Sequence, residues 1–456
     1  MDREPNAQLI SLMDEANVSN KGLAKRMRDL ALQRGEMLGT THVSVQRWRD
    51  GSGIQPKTAA IMANALSAKL QRRISPSDLG FFGGTDTTAA MTESYPATST
   101  EALARLDSLS SESSDVPEAR GLIIADGDLN AAVLSWITAR PDGITADRPG
   151  RQRVGMRDVR AIRTAGKMFM ELDFQFGGGH GHKALRHYFR HEVLPLLSVS
   201  YSEKVGTALF GAASEIAQLL GWTAYDSGNH RIAHRYLTAT LRLSQFTDDR
   251  MFGGRILSNL SHQANYLGNY AQSTQLARAA LEGARGRATP RAMAMFASME
   301  ARALSNAADP VGAGRAMNEA ERYLERADTT TDPEWLSYFT PAELMGEFCH
   351  CFRDLKQRKE ALRHAQRAVD ITDPKYARSV GFCRMVLAQS QLLNGELESA
   401  LTTAGLAVEA GDSLQSARFQ RYVGDFQTEV NAHSGNRAVA EFNERVREAI
   451  ARLEEE

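Results

Sequence analysis

The stretch Leu38-Gly-Thr-Thr-His-Val-Ser-Val-Gln-Arg-Trp-Arg-Asp-Gly51 sets the character of the first part of the chain. Thr40 or Thr41 can cap a first turn, Val43, Val45 and Trp48 supply apolar character, and Gly51 ends the segment, so the spacing predicts a helix of about three turns. The remaining positions, His42, Ser44, Gln46, Arg47 and Arg49, are polar or basic. One side can dock on a neighbouring helix while the other faces outward with groups able to meet base edges and phosphates. A capped amphipathic helix in any small bundle would look much the same, so the flanking segments decide between the two.

Upstream, Leu9, Ile10, Leu12 and Met13 fall at helical spacing, and Asn17-Val-Ser-Asn20 interrupts them. Ser19 or Asn20 then caps a second helix, with Leu23, Met27, Leu30 and Ala31 on one face and Lys21, Lys25, Arg26 and Arg28 on the other. Downstream, a helix is expected from Gln55-Pro56, with Ile61, Met62, Ala65 and Leu66 in period, and Ile74-Ser-Pro-Ser-Asp-Leu-Gly80 closes the unit. From residue 1 to 82 there are 12 Lys/Arg against 8 Asp/Glu, whereas the whole chain carries a net charge of −1. Only this part has the sign that a phosphate backbone attracts.

Leu23-Ala24, followed by Thr41, Ser44, Trp48 and Gly51, resembles the lambda-repressor-like, or XRE-type, helix-turn-helix domain. The interval from Arg26 to Leu38 is several residues longer than that family uses, and Arg34-Gly35 is the expected break that absorbs them. This extended form is similar to a group of large actinobacterial regulators that join such a domain to tetratricopeptide repeats, several of which are associated with development and antibiotic production. The basic Leu-Ala-Lys-Arg helix, the Ser-Val-Gln-Arg-Trp helix and the closing Pro-Ser-Asp-Leu-Gly are all present. The resemblance implies a transcription regulator that binds double-stranded DNA as a homodimer. Thr41, His42, Ser44, Gln46 and Arg47 would then meet bases or adjacent phosphates, and Lys21, Lys25 and Lys57 the backbone.

Residues 83–118 hold 13 Ser/Thr and 7 Asp/Glu against a single basic residue, Arg105. That composition predicts a flexible, self-repelling acidic linker in which Leu103, Leu106 and Leu109 could form no more than one brief helical turn. Residues 119–158, with Leu134-Ser-Trp136 and a Pro/Gly-rich run from Pro141 to Gly155, predict a short helical cap and a loop.

Beyond residue 159 the chain repeats. Gly179, Gly228, Gly268, Ala308, Lys356, Gly395 and Gly435 each start a turn followed five places later by Ala or Ser, at intervals of 49, 40, 40, 48, 39 and 40 residues. Within the units, small residues alternate with large ones, as in Ala264–Leu267 against Ala277–Leu281. Helix pairs need small residues where axes cross and large ones to plug the gap to the next pair. Residues 159–456 thus resemble tetratricopeptide repeats lengthened toward 40 residues, about seven helix pairs in an α-solenoid. Phe174-Gln-Phe-Gly-Gly-Gly-His180 also resembles the turn that opens the repeat region in the actinobacterial group. The fold class expected is all-α: a small bundle, a linker and a solenoid. First helices of such repeats line a concave groove, for which Asn259, Gln263, Tyr266, Arg302 and Arg384 are the candidate lining residues, with an extended peptide, a protein segment or an effector as the occupant.

Chemistry-bearing clusters are few. His187 and His191 are four apart and could share a zinc ion with His180 or His182, yet no Glu directly follows His187 as zinc hydrolases require. Gly177-Gly-Gly179 lacks the preceding strand and the following Gly-Lys-Ser/Thr of a phosphate loop, which leaves a sharp helix–helix turn. Cys349-His-Cys351 has no second pair, so an apolar packing role is expected. No catalytic residue, metal or cofactor is assigned, and an enzyme is not expected. Three cysteines make no disulfide framework, the N-terminus lacks the pattern of a signal peptide, and no apolar run reaches membrane-spanning length. A cytoplasmic, nucleoid-associated protein without membrane contact is therefore expected. A repeat scaffold that binds protein and no DNA is the alternative.

Overall fold

In the computed structural model, which describes residues 5–33, 38–52, 54, 56–70, 79, 95–111, 126–138 and 154–455, the chain is all-α. Twenty α-helices and no β-strand are present among those residues. Helices α1 (Ala7–Glu15), α2 (Asn20–Gln33), α3 (His42–Arg49) and α4 (Pro56–Leu70) form one compact unit, and all later helices form a second.

The first unit follows from its caps and its apolar spacing. Asn6 caps α1 by accepting from the Leu9 amide, and its side-chain amide donates to the Leu79 carbonyl at 2.8 Å. Its backbone N–H donates to the carbonyl of Arg49, 2.8 Å away at the end of α3. One residue therefore ties the start of α1 to α3 and to Leu79. Leu9, Met13, Leu23, Met27, Val45, Met62 and Leu66 build the core, each with almost no exposed surface. The expected Arg34-Gly35 break lies outside the described residues, as do residues 71–78 and the side chain of Lys57.

The second unit opens with a correction. Residues 99–111 are not a flexible linker: α5 (Ser99–Ser111) is a 13-residue helix docked in the core. Ala102, Leu106 and Leu109 stand at i, i+4 and i+7, and all are fully buried. Composition hid this because the segment leading into the helix is held by polar side chains of α10 (His230–Phe246). Arg242 donates through Nε and Nη2 to the Ala97 carbonyl at 3.3 and 3.2 Å, and Tyr95 donates to Gln245 at 3.1 Å. Residues 83–94 and 112–118 of the expected linker lie outside the described residues. In α6 (Asp126–Thr138), Trp136 is fully buried and donates from Nε1 to Ser244 Oγ at 3.3 Å; most of the expected loop from Pro141 lies outside the described residues.

Seven helix pairs follow. They are α7 (Met156–Phe176) with α8 (Gly178–Tyr188), α9 (Glu203–Asp226) with α10, α11 (Arg250–Tyr266) with α12 (Tyr270–Ala284), and α13 (Pro290–Asn306) with α14 (Pro310–Glu325). Then come α15 (Pro341–Asp354) with α16 (Arg358–Ile371), α17 (Ala377–Leu393) with α18 (Leu397–Ala410), and α19 (Ala417–Val430) with α20 (Arg437–Glu455). Gly228, Gly268, Ala308, Lys356 and Gly395, all expected at turns, have φ values of 86°, 85°, 59°, 56° and 84°. The left-handed backbone conformation turns the chain from the first helix of a pair into the second. In the first pair that position is Gly177 (φ 81°), two residues before the expected Gly179.

The solenoid meets itself. Gln415, in the loop before α19, donates its N–H to the Phe176 carbonyl at 2.8 Å and accepts from the Gly179 N–H at 2.9 Å. A Cβ on Gly177 would come within 2.9 Å of the Gln415 carbonyl oxygen, so glycine is required both for the turn and for this approach. The first and seventh pairs are thereby joined.

Candidate functional site

Two places in the molecule gather the candidate residues, one in each unit. On α3, Thr41 caps the helix and shares a reciprocal capping box with Ser44. Its Oγ1 accepts from the Ser44 N–H at 3.4 Å, and Ser44 Oγ accepts from the Thr41 N–H at 3.3 Å. Both side chains therefore hold the helix start in place. Gln46 is held as well: its amide accepts from Asn20 at 2.7 Å and donates to Asp50 at 2.8 Å, while Arg49 donates to the other end of Asn20 at 3.1 Å. This chain of bonds fixes α3 against the start of α2. One donor hydrogen and one lone pair remain on the Gln46 amide for an outside partner.

His42, Arg47, Lys21 and Lys25 are different. All four are exposed, and none of their side chains makes a hydrogen bond or ion pair with a described residue. Val43, expected on the packed side, is 53% exposed, while Val45 is fully buried. At helical spacing 42, 43, 46 and 47 share a face, so the outward surface of α3 is His42, Val43, Gln46 and Arg47. The i, i+4 relation of Val43 to Arg47 carried that information in the sequence.

In the second unit, first helices of all seven pairs converge on a cavity of about 140 Å³. Of the expected groove residues, Asn259 and Arg302 line it. Asn259 accepts from Gln218 at 2.9 Å, and Arg302 forms an ion pair with Glu347 at 2.6 Å. Gln263 is buried and donates to the His230 carbonyl at 2.8 Å, so it braces α11 against α10 instead of facing the cavity. Tyr266 belongs to an adjoining aromatic cluster with Tyr225 and His230, capped by the Arg421 guanidinium 4.4 Å from its ring. Arg384 bonds the Leu406 carbonyl at 3.2 Å and does not line the cavity. These three were misplaced because the sequence gives the helix but not the rotation of each helix about its axis.

Several lining residues carry no legible signal in the sequence. Arg255 is 6% exposed, stacks over Trp335 at 4.6 Å and Phe252 at 5.8 Å, and its Nε meets no acceptor. Burial pushes its pKa down from the usual arginine value. Glu343 accepts from the Ser379 hydroxyl at 3.1 Å; burial, and then the charge of Glu347, push it up to about 7. His262 sits against Tyr225 OH at 2.8 Å, and burial holds it well below the ordinary histidine range, hence neutral. Arg378 bonds Asp173 at 2.7 Å, and Arg418 bonds Asp226 at 3.3 Å under the rings of Trp222 and Tyr225.

The histidines near Gly177 disperse. His182 turns to Thr223 Oγ1 at 2.8 Å, His180 packs on Phe176, and His187 faces His191 with ring centroids 4.4 Å apart. Among the described residues no three His, Cys, Asp or Glu side chains are placed to hold a metal ion. Cys349, Cys351 and Cys383 are buried and free, and burial raises all three thiols. No helix of the described residues is long and apolar enough to cross a membrane.

Compared with known proteins, residues 9–82 match the family model described as the SP15 N-terminal domain. That match covers the first unit only. None of the curated proteins matches the chain.

Proposed function

We propose that the chain is a sequence-specific DNA-binding regulator of transcription, with α3 as its recognition helix. The repeat unit serves dimerisation and effector sensing, and no reaction is assigned to it. The observation that carries this is the face of α3 and α2. His42 and Arg47, with Lys21 and Lys25, project into solvent without partners among the described residues, while Val45 anchors α3 in the core and the capping box fixes its first turn. A basic face beside a rigid helix is the electrostatic footprint that a phosphate backbone attracts. The resemblance to XRE-type domains adds to this and implies a cytoplasmic, nucleoid-associated protein acting on genes of development or secondary metabolism.

The test is selection of bound fragments from a random duplex pool by the full-length protein, followed by gel-shift titration of the enriched site over a salt series. Binding to phosphates releases counterions, so affinity should fall by at least tenfold between low and physiological salt. An unenriched pool, or affinity that does not change with salt, would overturn the proposal in favour of a protein-binding scaffold.

A further inference from the structure

The cavity of the repeat unit contains a charge pattern that the fold itself does not use. Arg302 is neutralised by Glu347 at 2.6 Å and Arg378 by Asp173 at 2.7 Å. Arg255 and Glu343 are left over. Arg255 has no hydrogen bond and no ion pair; Glu215, whose charge also acts on it, is bonded to Arg163 at 3.2 Å. Glu343 has only the Ser379 hydroxyl, and no cation bonds it. Tyr338 stands in the electrostatic reach of both. Around them the wall is apolar, with Met170, Leu219, Met295 and Met299.

A buried guanidinium without an acceptor costs stability, because its desolvation is not offset. The stacking on Trp335 compensates one face of the ion and leaves its in-plane N–H groups without partners. Those groups are the fork that recognises a carboxylate. A simple anion would satisfy Arg255 but would leave Glu343 without a cation. A ligand that carries both signs meets both demands.

We propose that this cavity binds a small zwitterion of the class of free α-amino acids with apolar side chains, its carboxylate on Arg255, its ammonium on Glu343, and its side chain among the methionines. The cavity, at about 140 Å³, falls below the ~300–1,000 Å³ of sites for drug-sized ligands, which suits one amino acid and not the extended peptide expected of an open groove. The inference deepens the sensing role proposed for the repeat unit and rests on that reading for its biological meaning. Because the assay contains no DNA, its failure leaves operator binding standing, and failure of operator binding leaves the site standing.

The experiment is calorimetric titration and thermal shift of the full-length protein, above pH 7, with L-leucine, L-methionine and L-phenylalanine. 4-Methylpentanoate (leucine without its ammonium) and 3-methylbutylamine (leucine without its carboxylate) serve as matched probes. At least one amino acid should bind at one site per chain, and both truncated probes at least tenfold more weakly than leucine. Arg255→Met should lose at least tenfold in affinity while its ligand-free Tm stays level or rises, a combination that a merely structural arginine would not give. Glu343→Gln should lose affinity as well. The proposal falls if none of the three amino acids binds, if 4-methylpentanoate binds as well as leucine, or if Arg255→Met keeps full affinity. Should Arg255→Met fail to fold, the probe comparison on the unaltered protein and Glu343→Gln decide.

Discussion

Arg378, on the sixth helix pair, bonds Asp173 on the first at 2.7 Å, and both side chains are almost wholly buried. The two residues are 205 positions apart. Asp226, fully buried beside them, accepts from the Gly178 N–H at 2.9 Å and from Arg418 at 3.3 Å. Burial, outweighing Arg378, pushes the Asp173 carboxyl up to about 6. A repeat stack needs only nearest-neighbour contacts; this network instead makes the first pair depend on the sixth and seventh.

The closure predicts that Arg378→Ala destabilises the protein by about 3–5 kcal/mol, because Asp173 is left as a buried, uncompensated charge. Replacing both partners, Asp173→Leu with Arg378→Met, should recover most of that loss. Equilibrium denaturation of Asp173→Leu, Arg378→Met and the double variant measures the coupling. Additive losses would mean that the pair does not join the ends.

How far the sequence could anticipate this is clear from particular residues. The turn positions were legible, since Gly228, Gly268 and Gly395 need a left-handed conformation and that need leaves glycine at fixed intervals. Even Ala308 and Lys356, which take the conformation at some strain, were found through the period alone. Closure was not legible, because Asp173 and Arg378 carry no mark that distinguishes them from surface charges until the superhelical path brings them together. The α5 helix was missed for a related reason: Ala102, Leu106 and Leu109 have the right spacing, but their serine-rich context resembles a linker unless Arg242 of α10 is known to hold the chain that leads into it.

The glycines under Trp136 give a second prediction. Gly253 and Gly283, on α11 and α12, face the indole from two sides, and a Cβ at either would overlap it. Gly283→Ala should therefore cost about 1–3 kcal/mol by overpacking, although alanine favours helix. Trp136→Ala should relieve that clash in a double variant while costing about 3–5 kcal/mol alone. Thermal denaturation reads both. A Gly283→Ala variant more stable than the parent would show that α6 is not keyed there.

His182 makes stability depend on pH. Burial, assisted by Arg186, holds it at about 4, below its ordinary 6.5, and its Nε2 has no acceptor for a second proton. The folded state therefore binds fewer protons than the unfolded state between these values. The group's contribution is complete above pH 6.5 and is lost as the pH falls toward 4. Against His182→Asn, the parent should lose about 2 kcal/mol more on going from neutral pH to pH 5. Paired unfolding curves at the two pH values check this, and parallel losses in parent and variant would exclude it.

The outward face of α3 yields the last prediction, and the arrangement of its residues separates three kinds of effect. The Arg47 side chain is exposed and unbonded among the described residues, so Arg47→Ala should leave the Tm unchanged. If it reads a base, the substitution should cost about 1–3 kcal/mol on the selected DNA site and relax preference at one position. Lys25, on α2, should instead act through phosphate. Lys25→Ala should weaken binding to all sequences alike and reduce the salt slope by about one. Thr41 differs from both because its hydroxyl serves the capping box. Thr41→Ala should lower stability by about 0.5–2 kcal/mol even without DNA. Gel-shift titrations of the three variants on the selected and a scrambled duplex, with parallel melting curves, distinguish them. Equal affinity of Arg47→Ala and the parent for the selected site, with unchanged preference, would remove α3 from base recognition.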